Sequence, residues 1–206
     1  MESEIVRRLP RASKTVAVLL AASVALVGCG QQTGSAAIIG DVVISERDLA
    51  AVVSEAEQRA LELQVPEVSS QSVTFGALEW MIRKAILESM AGKQGIEVSK
   101  GDVDAVIADA ENQVGREELE AQIAGSGAGP SRLEDYARTY VLQLKLGERY
   151  GNDENALQAA YLAAGDELKV KISPRFGTWD SMQGGLAQAA NDLSRPAGAA
   201  IVVPKS

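Results

Sequence analysis

The chain has 206 residues, with 20 Lys and Arg against 28 Asp and Glu, for a net charge of −8. That acidic balance does not suit nucleic acid as a partner. The sequence holds no histidine and one cysteine, which removes histidine-based triads, most zinc sites, the commonest general base and any internal disulfide, so neither a metal nor a cofactor is expected.

The N-terminus reads as an export signal. Arg7, Arg8, Arg11 and Lys14 precede Thr15–Val27, an uncharged apolar run. That run is shorter than the roughly 20 apolar residues of a membrane-spanning helix. It ends in Leu26-Val27-Gly28-Cys29, which resembles the lipobox of bacterial lipoproteins. The resemblance implies cleavage between Gly28 and Cys29 and a diacylglycerol thioether on Cys29, carrying fatty acids such as palmitate. More than one acyl chain gives stable anchoring, where a single chain binds only marginally. Arg7-Arg8 is not followed by the rest of a twin-arginine signal, so general export is expected. Loss of residues 1–28 removes four basic and two acidic residues and moves the net charge from −8 to −10. What is left is long enough for one domain with a sizeable core.

Gly30–Ser35 reads as a short tether. Ala36–Ile44 is β-like, with Gly40-Asp41 placed for a tight hairpin turn. Ser45 is an N-cap signal, and Leu49, Val52, Val53, Ala56, Ala60 and Leu63 recur at helical spacing, predicting a helix over 46–64. Pro66 and a Ser/Gln loop break it. Phe75, Leu78, Met81, Ile82, Ala85 and Ile86 mark a second helix ending near Gly92 or Gly95. Ser99 with Asp102 caps a third, whose stripe is Val103, Val106, Ile107, Ala110 and Val114. A short helix over 117–124 presents Leu119 and Ile123. After the GSGAGP loop at 125–130, Ser131 and Glu134 form the strongest capping-box pattern in the chain, opening a helix with Leu133, Ala137, Tyr140, Val141 and Leu144. An Ala-rich sixth helix over 153–164 is expected to stop at Gly165, and Glu167–Ile172 alternates like a strand. The predicted fold is mainly α: a bundle of five to six helices with a small two- or three-stranded sheet formed by the N- and C-terminal segments.

Three segments in this order are similar to the helical chaperone module of the SurA/PrsA group of extracytoplasmic foldases, itself similar to the client-binding domain of trigger factor. They are Ile39–Leu49, Gly95–Val103 with its Ser99 cap, and Arg116–Glu120 leading through Pro130 to Leu133–Arg138. The likeness covers roughly residues 37–165. It implies a chaperone or holdase that binds unfolded or newly exported polypeptides. The group often carries a parvulin-type prolyl isomerase domain of about a hundred residues, a size within the single-domain range. Only about forty residues follow Gly165, and none is histidine. The resemblance therefore implies the chaperone module without the isomerase, and no enzyme activity. Expected boundaries are a lipoprotein signal peptide at 1–28, a lipidated tether at 29–36, a SurA N-terminal-like helical domain at 37–181 and a loosely ordered tail at 182–206. Ala200–Val203 in that tail reads as an edge strand. The expected location is the extracytoplasmic face of a cell membrane, held by lipid.

Phe75, Trp80, Met81 and Met90 are candidate client-binding residues, because Met and aromatic rims adapt to many apolar side chains. Plain core packing is the simpler reading of the same residues, with Trp80 the best exception. Phe176 and Trp179 are further candidates, and are also placed to pin the C-terminal segment, with Arg175 paired to a carboxylate. Glu117, Glu118 and Glu120 read as a solvated helix face and not a metal site. No nucleophile–base pair and no phosphate loop stand out. The alternative function is a cell-envelope scaffold lipoprotein with one specific protein partner. The oligomeric state is not legible.

Overall fold

A computed structural model describes residues 34–65 and 69–188. The described fold opens on a hairpin of β1 (Ser35–Ile39) and β2 (Val42–Ser45), paired antiparallel with Ile39 opposite Val42. Gly40 carries the turn at φ 56°, a left-handed value that favours glycine, and its N–H donates to the Leu168 carbonyl at 2.7 Å. β1 begins inside the expected tether: Ser35 and Ala36 are buried, so the fold starts earlier than residue 37. Cys29 and the expected signal segment lie outside the described residues, as do Ala200–Val203.

Helix α1 (Glu46–Glu62) starts at Ser45, whose Oγ accepts the Asp48 N–H at 3.0 Å. It stops two residues short of the predicted end, with Gln64 in a left-handed conformation. Helix α2 (Ser70–Gln94) starts earlier than its apolar residues suggest, because Ser69 and Ser72 make a reciprocal capping box. Gly95 closes it at φ 65°. α2 is the axis of the fold. Nine of its residues are buried, among them Leu78, Ile82 and Ile86 at 0% exposure. They face several neighbours, so no single polar face develops. Full burial of each such side chain contributes about 1.5–3 kcal/mol.

Helix α3 (Lys100–Val114) has the predicted Ser99–Asp102 capping box. Helix α4 (Arg116–Gly125) follows directly through Gly115. The glycine-rich loop then turns against α2 so closely that a Cβ on Gly76 would stand 2.6 Å from the Ser126 carbonyl oxygen, and one on Gly127 would strike the Ala77 backbone. Those glycines let loop and helix touch.

The predicted Ser131–Glu134 box does not form. Pro130–Arg132 is a 3-10 turn, and helix α5 (Leu133–Arg149) has no side-chain cap. Ser131 instead donates its N–H and its Oγ–H to the Glu55 carboxylate of α1, each at 2.6 Å. A charged acceptor taking two donors outcompetes the local box. Helix α6 (Glu154–Glu167) is capped by Asp153 and runs through Gly165. Glu167 and Leu168 thus belong to the end of a helix. The strand predicted from 167 shortens to β3 (Lys171–Ile172), which adds to β1 and gives sheet order β2-β1-β3. Strands β4 (Thr178–Asp180) and β5 (Gly185–Ala187) pair antiparallel. The ordered structure therefore passes residue 181, because Leu186 is buried at 7% exposure against the core. Among the described residues, no helix is long and apolar enough to cross a membrane.

Candidate functional site

Six candidate residues separate into four places. Trp80 and Met81 stand together in a cavity of about 370 Å³ between β2, α1 and α2. Phe75 and Phe176 share another, of about 390 Å³. Met90 is 4% exposed and belongs to the core. Trp179 is half-buried on α6, its ring 3.1 Å from where a Cβ on Gly165 would be. Phe176 and Trp179 both pack on the core cluster and pin the C-terminal segment. Arg175 donates to Glu46 at 2.8 Å, and its guanidinium lies 5.6 Å from the Phe176 ring centre.

Trp80 links two concave regions. Besides the cavity at β2 it borders one of about 330 Å³ between α2 and α5, and it stacks on Tyr136 with ring centres 6.0 Å apart. Its indole N–H is buried with no acceptor among the described residues. Tyr136 and Tyr140 in turn border a third region, the largest, of about 470 Å³.

This third region is a groove between α3, α4 and α5. Val106 and Ile107 line one side, Leu119 and Ile123 another, and Tyr140 and Leu144 stand at 50% and 45% exposure. Helical spacing placed these residues on apolar stripes without showing whether they are covered. Only Val103 of the α3 stripe is buried, and Val114 is 44% exposed. Helix α5 has two apolar ladders, not one. Leu133, Ala137 and Val141 are buried, while Tyr136, Tyr140 and Leu144 repeat every fourth residue along the groove. An apolar arc wider than one neighbour can cover is the signal that was available in the sequence. The polar rim is largely satisfied within itself: the Gln113 amide donates to Asp109 at 2.7 Å, and the Gln122 amide to Glu118 at 3.1 Å.

Charged links hold the groove's walls. Lys145 of α5 donates to Asp102 of α3 at 2.8 Å. That bond, together with the Ser99 cap, holds the Asp102 carboxyl down at about 2. On the far side, Glu120 of α4 accepts from Arg116 Nε at 2.6 Å and from Arg59 of α1 at 2.7 and 2.9 Å. Its side chain is 11% exposed, so Glu120 departs from the solvated face expected for it. Arg116 first, then Arg59, keep its carboxyl below the usual range. Arg116 also pairs with Glu111, spanning the Gly115 joint between α3 and α4. Among the described residues, no group of three or more His, Cys, Asp or Glu could hold a metal ion.

The model of one protein family, described as a SurA-like N-terminal domain, matches residues 4–147. That span runs through the hairpin and all three walls of the groove. No curated protein and no solved structure matches the chain.

Proposed function

Because the chain belongs to the SurA-like N-terminal domain family, we propose that it is an extracytoplasmic chaperone of the holdase type, anchored to a membrane by lipid on Cys29. It binds non-native exported polypeptides without ATP and without catalysing a covalent step. One observation carries the reading beyond family membership: the groove between α3, α4 and α5 leaves Tyr140 and Leu144 about half-exposed above an apolar floor. Contiguous apolar surface of this kind on a soluble domain marks an interaction site. Leu, Ile and Val side chains contact apolar groups without demanding hydrogen-bond partners, and the Tyr ring adds an apolar face, which suits clients of varied sequence. The amide–carboxylate pairs at the rim keep the mouth hydrated, so that a client can leave again.

Two measurements test this. A molar excess of the full chain should slow aggregation of a chemically denatured secreted protein on dilution, seen by light scattering. No slowing at any ratio would remove the holdase reading. Cells fed radioactive palmitate should label the chain, and Cys29→Ala should abolish the label; persistent label on that variant would remove the anchor.

A further inference from the structure

The cavity beside Trp80 and Met81 lies against a strand that ends its sheet. In the order β2-β1-β3, strand β2 has a neighbour on one side only. The turn at Gly40-Asp41 with Ile39 opposite Val42 makes those two the hydrogen-bonded pair, and bonding then alternates along the strand. The alternation is visible further on, where the Glu46 N–H donates to the Gly34 carbonyl at 2.7 Å. Val42 and Ile44 thus turn their main-chain groups toward β1, and Glu46 its N–H. Val43 turns its N–H and C=O off the edge, and Ser45 its N–H. An open edge of this kind is a template for another strand. Val42 and Val43 are 48% and 47% exposed, and both border the cavity of about 370 Å³ that Trp80 and Met81 line from α2.

We propose that β2 takes an extended polypeptide segment as an added strand, reading its main chain at Val43 and Ser45 and seating an apolar side chain against Trp80 and Met81. This rests on the chaperone reading above and gives it a mechanism for sequence tolerance. Main-chain hydrogen bonds are common to every client, whereas the cavity asks only for one apolar side chain.

Charge narrows the class of segment. Lys84 donates to Asp135 at 2.9 Å, and Arg132 stands 3.6 Å from the same carboxylate. The cavity lining sets three carboxylates, Asp48, Glu88 and Asp135, against these two cations, and Asp48 and Glu88 make no ion pair among the described residues. The surplus is acidic, as is the whole chain, so the fitting segment has an apolar residue flanked by Lys or Arg. A second copy of this chain is the weaker occupant. It would bring the same acidic surround, and β2 is four residues long. Pairing so short a strand with itself falls well below the roughly 1,000 Å² a specific interface needs.

The test uses the full chain in detergent and a fluorescein-labelled octapeptide of alternating valine and lysine, followed by fluorescence anisotropy. Two further peptides carry backbone N-methyl groups, one on the valines and one on the lysines. Only one edge of a bound strand faces β2, so one methylated peptide should bind about tenfold more weakly or worse, and the other within about twofold of the parent. Equal effects from both sets, small or large, overturn the added strand. Replacing the lysines by glutamates should weaken binding by about tenfold or more, and unchanged binding overturns the charge preference. Val43→Pro removes the outward donor and spares the ladder to β1, so it should reproduce the loss. If that variant fails to fold by circular dichroism, the methylated peptides decide alone. Should the peptides fail while the full chain still slows aggregation of a denatured client, the edge is wrong and the chaperone reading stands. Should both fail, both fall.

Discussion

Helices α2 and α3 both display apolar residues at helical spacing, yet nine residues of α2 are buried and one of α3. The difference lies in their neighbours. α2 is enclosed by α1, α5, α6 and β1, so wherever its side chains point they meet other side chains. α3 rests chiefly on α5 and α4, and Val106, Ile107 and Ala110 border open space. Similar periodicity thus serves two ends. In α2 it supplies cohesion. In α3 it supplies one wall of a groove whose position depends on charged links at Asp102, Glu111 and Glu120.

The sharpest way to break that contrast is to damage each side separately. Ile86→Ala empties a fully enclosed site in α2 and should cost about 2–5 kcal/mol, read as a lowered urea midpoint. A loss below about 1 kcal/mol would mean that the α2 packing relaxes freely and is not the anchor described. Glu120→Gln comes next. It removes the charge that Arg59 and Arg116 share and should cost about 1–2 kcal/mol. Faster hydrogen exchange confined to α3 and α4 would accompany it. Exchange spread evenly over the fold would show that the arm and the core are not separate.

Leu144→Asp reverses the emphasis. The side chain is 45% exposed, so stability should change by no more than about 0.5 kcal/mol, while the delay of client aggregation should largely disappear. A variant that holds client as well as the parent would take the groove out of the function. The smallest expected effect is in acid. Asp102 titrates at about 2, against an ordinary 3.8, chiefly because Lys145 donates to it. A carboxyl depressed in the folded state contributes its stability in full above the unfolded value and loses it as pH falls through the folded one. The α3–α5 link should therefore weaken between roughly pH 4 and pH 2, with Asp102→Asn flattening the acid limb of the unfolding curve. An identical limb in the variant would place that acid sensitivity at other carboxylates.

Much of the frame was legible because its signals are local. Ser45 and Ser99 cap helices through atoms three residues away, and Gly40 supplies a turn that few other residues would. The failures have the opposite character. Ser131 looked like the best cap in the chain, but Glu55 reaches it from 76 positions away. Gly165 looked like a stop, but Trp179 packs over it and α6 continues. The tail was expected to begin at residue 182, yet Leu186 finds a buried seat and β5 forms. Of the site, Trp80 and Met81 were named together and do share a cavity, whereas Tyr140 and Leu144 were assigned to a stripe.

By itself the sequence determined where α1 and α3 start, where the first hairpin turns and the absence of histidine chemistry. These follow from side chains acting on backbone within a few residues, or from composition. Tertiary structure decided which apolar stripes are covered, which carboxylate holds two arginines, and which strand is left at the edge of its sheet. Those are properties of neighbours brought together from distant parts of the chain. A helix's own periodicity says which face is apolar, and packing alone says whether anything covers it.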